Sequence, residues 1–288
     1  MHTRRVPDIG GLLVSVHSSM LHPSPELRAK LSKVPEVSLY FWVIKVLCTT
    51  VGETFADFIN GKLGDNLTTT TAVMGSLLIV ALVVQFRVPE YIPAVYWVAV
   101  VLISVVGTLI TDNMVEHFNV TLTMSTIVFA ILMVASFSVW YISERTLSIH
   151  SIHSHKREAF YWTAILFTFA LGTAAGDLIA EQYSLGYFKS VLIYAAIIAI
   201  IAIAHLKFKL NAIFAFWAAY VITRPLGASI GDLLSQPRAV SPDDPTAQKG
   251  LGLGTTVTSL IFLVAIAVVV VLMTQQQKRH PVLVDDAA

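Results

Sequence analysis

Four aspartates carry the chemistry open to this sequence. Asp57, Asp112, Asp177 and Asp232 each stand five residues after a glycine (Gly52, Gly107, Gly172 and Gly227), in stretches almost free of other charge. A carboxylate at or near membrane depth is costly, so one that recurs four times reads as a functional site. Four at a common depth imply a ring or two facing pairs, and rings of Asp or Glu concentrate cations at membrane pores. The plainer alternative is four side chains that are solvated or hold helix–loop hydrogen bonds. The residue four before each Asp lies on the same helix face. It is Glu53, Thr108, Thr173 and Ala228, so unit one offers a Glu–Asp pair, units two and three Thr–Asp, and unit four Asp alone. Carboxylate and hydroxyl oxygens suit magnesium, calcium or manganese. Close carboxylates can equally hold a proton near neutral pH. Spacing alone does not separate a metal site from a proton relay.

Two cations lie within the same apolar stretches. Arg224 is about mid-span and immediately precedes Pro225, which is expected to kink its helix and free a carbonyl. A lone buried guanidinium needs a carboxylate, and Glu53 or Asp232 is the expected partner. Lys45 is nearer a span end and is expected either to snorkel to the interface or to meet a carboxylate or water. An intramembrane lysine also suits a retinal Schiff base, but its place in the first of eight helices argues against that. His150, His153 and His155 fall within six residues of one another between Glu144 and Glu158, and read either as transition-metal ligands or as a basic, solvated linker. Asp112, Glu116 and His117 form a weaker candidate.

The elements that must position these residues are announced by tryptophan. Four of the five Trp open one phrase: an aromatic, Trp, nine residues, Gly, four residues, Asp. It starts at Phe41-Trp42, Tyr96-Trp97, Tyr161-Trp162 and Phe216-Trp217. Self-similarity of this kind governs the fold. Composition sets the class, with 56% hydrophobic residues, 13% charged residues and a mean hydropathy of +0.73. Soluble domains carry roughly 25% charged residues. Eight runs are long enough to span a bilayer: about 37–58, 70–86, 92–112, 122–142, 159–179, 188–205, 211–233 and 252–273. The expected fold is therefore all-α: a polytopic protein of eight spans, built as four parallel two-helix repeats. The Trp-bearing helices are expected inside and the plainer ones against lipid. The aromatic pairs read as interfacial anchors. The glycines read as close-packing positions, with a helix break as the sharper alternative.

Thirteen of the 19 Lys and Arg fall in the termini and alternate loops that share one side, which places both termini in the cytoplasm. The chain divides into an N-terminal segment (1–36), two membrane halves (37–142 and 159–273), a His-rich linker (143–158) and a tail (274–288). The apolar patch from Ile9 to Val16 is too weak for a signal peptide. Met20 is an alternative start, which leaves residues 1–19 in question. The stretch from Pro237 to Lys249 reads as a polar connection, and the end after Lys278 as disordered. A single cysteine, Cys48, excludes an intrachain disulfide. The net charge of +1 points to no acidic or basic partner and to no nucleic acid.

The phrases LCTTVGETFADF, WVAVVLISVVGTLITDNM, FTFALGTAAGDLIAE and TRPLGASIGDLL resemble a family of bacterial integral membrane proteins defined by a repeat of unknown function. The resemblance covers residues 36 to 273 and implies a bacterial inner-membrane location, with no activity attached. All four copies keep Trp, Gly and Asp.

The chain has no HExxH, no GxSxG and no phosphate-binding loop, so neither an enzyme nor a primary pump is expected. The expected function is cation transport, with a divalent metal such as manganese as cargo, exchanged for protons through the Asp layer. The alternative is a non-transporting membrane protein that binds a lipid, quinone or cofactor, senses a signal, or acts as an intramembrane enzyme. The expected partners are the bilayer, an inorganic cation and the proton, with no resident cofactor.

Overall fold

The computed structural model describes residues 32–238 and 248–279, so the readings of residues 1–31, 239–247 and 280–288 lie outside the described residues. Within them the chain is all helical. The helices are α1 (Leu39–Lys62), α2 (Leu67–Arg87), α3 (Pro93–Asp112), α4 (Leu122–Glu144), α5 (His155–Asp177), α6 (Tyr187–Phe208), α7 (Ala212–Ser235) and α8 (Gly254–Arg279). All eight include a stretch long and apolar enough to cross a membrane. Their starts are set locally. Ser38, Asn66, Thr121, Ser154 and Asn211 each accept a first-turn N–H at the head of their helix, and Pro93 occupies the first turn of α3.

Burial separates the two classes of helix. In the apolar windows of α1, α3, α5 and α7, 61, 67, 61 and 61% of residues are buried, against 17, 11, 6 and 17% in α2, α4, α6 and α8. The signature helices therefore form the core, as expected. They make one closed ring, α1–α3–α5–α7 and back to α1. The contact between α3 and α5 joins the two membrane halves, so they are not separate bodies.

The outer helices do not cover their own partners in sequence. α2 packs chiefly on α3, α4 on α5 and α6 on α7, while α8 returns to α1 and closes the circle. Thr54 in the second half of α1 accepts from Ser259 near the start of α8, at 2.9 Å, so those two helices run antiparallel. The start of α1 and the end of α8 consequently lie at one end of the bundle, the Trp end. The other is the Asp end.

The glycines show why four related helices close a ring. Each signature Gly packs on the residue that lies three before the signature Gly of the next helix: Gly52 on Ser104, Gly107 on Phe169, Gly172 on Arg224 and Gly227 on Thr49. A Cβ on Gly107 would come 2.9 Å from the Phe169 Cβ and 3.2 Å from the Ala170 backbone nitrogen. One on Gly227 would come 2.9 Å from the Thr49 carbonyl carbon. Small residues here allow the backbones to approach. All four glycines lie inside continuous helix, so the helix-break alternative does not apply. α7 also continues through Pro225, whose ring packs beside Gly172 and Gly176.

Candidate functional site

The site is layered along the centre of the ring, and the aromatic layer at the Trp end is its lid. Trp97, Trp162 and Trp217 are only 1, 3 and 6% exposed. The expectation that they anchor the protein at the lipid interface is therefore overturned. Each aromatic instead meets the Trp of the next helix: Phe41 with Trp97, Tyr96 with Trp162, Tyr161 with Trp217 and Phe216 with Trp42, at centroid distances of 5.7, 5.5, 6.1 and 5.7 Å. Eight interlocked rings bury far more apolar area than the headgroup region offers, which is why they point inward. Trp217 donates to the Leu147 carbonyl (2.9 Å) and Trp97 to the Tyr91 hydroxyl (3.1 Å), which removes part of the need for interfacial water.

Beneath this lid lies Lys45, and it corrects another expectation. It is fully buried, with no hydrogen-bond partner, so it neither snorkels nor meets a carboxylate. Its Nζ sits 4.1 Å from the centroids of both the Phe169 and Tyr220 rings. Phe41 lies one turn earlier on α1 and is itself buried in the lid, 5.7 Å from the Trp97 ring.

The next layer holds Arg224, fully buried on α7, which touches the other three inner helices. Its NH2 donates to Glu53 Oε2 of α1 at 2.9 Å, to the Thr108 hydroxyl of α3 and to the Thr173 hydroxyl of α5 at 2.6 Å. Its NH1 donates to the Thr49 carbonyl at 3.1 Å. Thr108 also donates to Glu53 at 3.3 Å and lies 3.5 Å from the Thr173 hydroxyl. Glu53, Thr108 and Thr173, placed alike in their repeats, are thus brought to one guanidinium. Ala228, the fourth such position, belongs to the helix that supplies the arginine. Removing either partner of a buried pair leaves the other charge uncompensated, so this network fixes the register of the ring.

One turn further on is the Asp layer, about 6 Å along the helices. Asp57, Asp112 and Asp177 are half-buried and Asp232 is buried. Each lies within electrostatic reach of Glu53, and Asp57 also acts on the other three. The four therefore share one region, a point the sequence leaves open. Among the described residues none of their side chains has a hydrogen-bond or ion-pair partner. Asp232, the other expected partner of Arg224, is not bonded to it. Directly after Asp112 and Asp177 the helices widen into π turns, Asn113–His117 and Leu178–Gln182. Such turns are frequent at functional sites. They bring Glu116 and Glu181 into electrostatic reach of Asp57. Glu181 accepts from the Tyr187 hydroxyl at 2.9 Å.

The histidines are not gathered. His150 lies in a short 3-10 turn (Ile149–Ser151), His153 follows it and His155 opens α5, and all three are exposed. Glu116 and His117 are exposed as well. Among the described residues no group of three or more His, Cys, Asp or Glu is placed to hold a metal ion. The linker is not a uniformly solvated stretch either. Glu158 is 1% exposed and accepts from Lys33 Nζ at 2.8 Å and from Gln85 at 3.1 Å, while Lys33 also donates to the Phe86 carbonyl. Sequence reasoning missed this cluster. Its one signal was Gln85, an amide near the end of an otherwise apolar helix. The hydroxyl contact between Tyr96 and Tyr161, at 2.5 Å, was also missed. It was legible as Tyr in units two and three where units one and four have Phe. A separate apolar cavity of about 470 Å³ opens between α6 and α7 at the Trp end, lined by Trp42, Leu147, His150, Ile201, His205 and Phe216 among others.

No curated protein and no solved structure matches the chain. One family does, four times, over residues 40–91, 95–146, 160–210 and 215–279, each match beginning two residues before a signature Trp. Ring, lid, glycine contacts and Asp layer are thus the three-dimensional form of a fourfold sequence repeat, and the chain belongs to the family described as Repeat of Unknown Function (DUF347).

Proposed function

We propose that this multi-pass membrane protein is a cation transporter of the bacterial inner membrane, with both termini cytoplasmic and the Asp end facing out. The observation that carries the reading is the Arg224–Glu53 pair, bonded into all four repeats directly beneath the Asp layer. Unpartnered carboxylates gathered in one region raise the local concentration of cations. A cation that moves one turn deeper meets Glu53 and competes there with Arg224. Since Arg224 is the link among α1, α3, α5 and α7, its release from Glu53 loosens the ring and its return resets it. Such competition between cargo and an internal cation is the simplest basis for exchange. The oxygens available to the cargo belong to Asp57, Asp112, Asp177, Asp232, Glu53, Thr108 and Thr173, a hard donor set suited to a divalent ion such as manganese. His150, His153 and His155 take no part in this reading.

Ion flux into proteoliposomes tests it, using manganese, magnesium, zinc, iron, cobalt and calcium with an internal pH dye. Wild type should carry one of these metals, and Asp57→Asn and Asp177→Asn should lose the flux while keeping the fold. Absence of metal or proton flux in folded wild type would sink the proposal. The cavity between α6 and α7 favours a second reading in that event, a lipid- or quinone-binding protein that transports nothing.

A further inference from the structure

The cavity between α6 and α7 marks a place where the repeat loses its own packing. Trp42, in its wall, is half-buried, whereas Trp97, Trp162 and Trp217 are buried. The repeat also shows what fills the corresponding place elsewhere. α2, α4 and α6 start at Leu67, Leu122 and Tyr187, each ten residues after its Asp, so their positions correspond without a gap. On α4, Phe137 and Trp140 meet the Trp of the repeat two further on, Trp217, at centroid distances of 4.7 and 5.7 Å. The matching pair on α2 is Leu82, packed on the core, and Gln85, which donates to Glu158 of α5 at 3.1 Å. On α6 the pair is Ala202 and His205, and the Trp two repeats on, counted around the ring, is Trp42. All three line the cavity. A methyl and an exposed imidazole thus stand where α4 supplies a phenyl and an indole. The space of about 470 Å³ is the counterpart of one that an aromatic pair fills.

That origin gives the shape of an occupant, a flat ring. Trp42 and Phe216 supply two aromatic walls with centroids 5.7 Å apart, and offset or edge contact with such walls favours a conjugated ring over an acyl chain. The indole N–H of Trp42 has no hydrogen bond among the described residues, unlike those of Trp97 and Trp217. His205 Nδ1 donates to the Leu210 carbonyl at 2.8 Å. Its Nε2 is left to accept from a hydroxyl or, once protonated, to donate to a carbonyl. No described lining residue is a carboxylate, and His150 also lies in the wall. Lys207 and Lys209 are exposed on the turn between the lining residues Leu206 and Ala212, which makes the mouth positive. Oxygen acceptors on the edge of a ring match this set, and a cation does not. Ile201 and Ile198 continue the apolar wall along α6, the second of them about 10 Å from His205, so a hydrocarbon tail has a path.

We infer that this cavity binds a quinone. Its flat ring sits against Trp42 and Phe216, where α4 places its aromatic pair in the preceding repeat. Its oxygens meet the Trp42 N–H and His205, and its isoprenoid tail follows Ile201 and Ile198. This rests on the cavity of the second reading above, names its ligand, and holds whether or not the Asp layer carries ions.

Equilibrium binding of a tritiated naphthoquinone with a short isoprenoid tail, to the purified full chain in detergent, tests it. Wild type should bind it saturably, at one site per chain. The double variant Ala202→Phe with His205→Trp copies α4 into α6 and should lose that binding. It should melt no lower than wild type, because the added rings fill a cavity. Ala202→Phe alone blocks the space with one ring and should lose binding as well, which keeps the test open if the double variant does not fold. Trp42→Phe keeps a ring and deletes the N–H, and should weaken binding about threefold to tenfold. Equal binding by wild type and a folded Ala202→Phe variant overturns the inference, as does a folded wild type without saturable binding. Displacement by phosphatidylglycerol as effective as that by unlabelled quinone overturns it too, and assigns the cavity to acyl chains. Binding is read without ion flux, so its failure leaves the transport reading standing, and absence of flux leaves the quinone site standing.

Discussion

The helix pair α1 and α7 differs from the pair α3 and α5, although all four descend from one motif. Between the lid and the Asp layer, α1 and α7 hold the charged side chains, Lys45, Glu53 and Arg224, and face each other across the ring closure. At related positions α3 and α5 hold hydroxyls: Thr108 and Thr173 around the guanidinium, and Tyr96 and Tyr161 in the lid. Only α3 and α5 run on into π turns after their Asp. The scaffold positions, by contrast, are common to all four. The glycine contacts and the aromatic-to-Trp contacts repeat around the ring without a break. A repeat can therefore keep its packing rule and its Asp while single substitutions in the layers above divide the labour, charge on one side and neutral donors on the other.

The sharpest way to break this comparison is to remove the charge from one helix alone. Arg224→Leu leaves Glu53 buried and unpaired, and should destabilise the protein by about 3–5 kcal/mol, read from thermal unfolding in detergent. The double change Arg224→Met with Glu53→Gln removes both charges and should recover most of that loss. A single variant as stable as wild type would show that the pair has no structural weight.

The glycines ask whether the scaffold is as symmetric as it looks. Gly107→Ala, at the α3–α5 contact, and Gly227→Ala, at the α7–α1 contact, each force a methyl against a neighbouring backbone. Both should cost about 1–3 kcal/mol by the same unfolding assay. Gly75→Ala on outer α2 meets nothing within 4 Å and should be neutral or slightly stabilising. Unequal costs at Gly107 and Gly227 would mean that the charged and neutral contacts do not share one packing rule.

The hydroxyl side should yield the smallest effects. Thr108→Val or Thr173→Val deletes one hydrogen bond to a guanidinium that keeps its others, for a loss of about 1–2 kcal/mol. A loss equal to that of Arg224→Leu would erase the distinction between the two helix pairs.

Spacing along the chain made the layers legible in part. The Gly and Asp phrases predict inner helices in register, and the face shared with each Asp correctly singles out Glu53, Thr108 and Thr173 as a set. Periodicity does not say which way a helix turns when its faces are almost equally apolar, so the sequence leaves open whether the Asp meet. Nor could it see that Trp97, Trp162 and Trp217 face inward. An aromatic at a span end suits headgroups and a ring of other aromatics equally well, and only the neighbouring helices decide between them. Lys45 failed as an expectation for the same reason, because its buried amine lies against rings from α5 and α7. The Lys33–Glu158–Gln85 cluster joins residues up to 125 positions apart and left almost no local trace.

By itself, then, the sequence determined the class, the eight helices, the fourfold repeat and the inward placement of the four signature helices, because apolar length, small residues and repeated spacing are properties of the chain alone. The tertiary structure decided which neighbour each outer helix covers, that the aromatics form a lid, that a lysine lies without a hydrogen-bond partner beneath that lid, and that one arginine gathers three other helices. These outcomes depend on helix rotation and ring closure, and both are settled only when all four inner helices pack against one another.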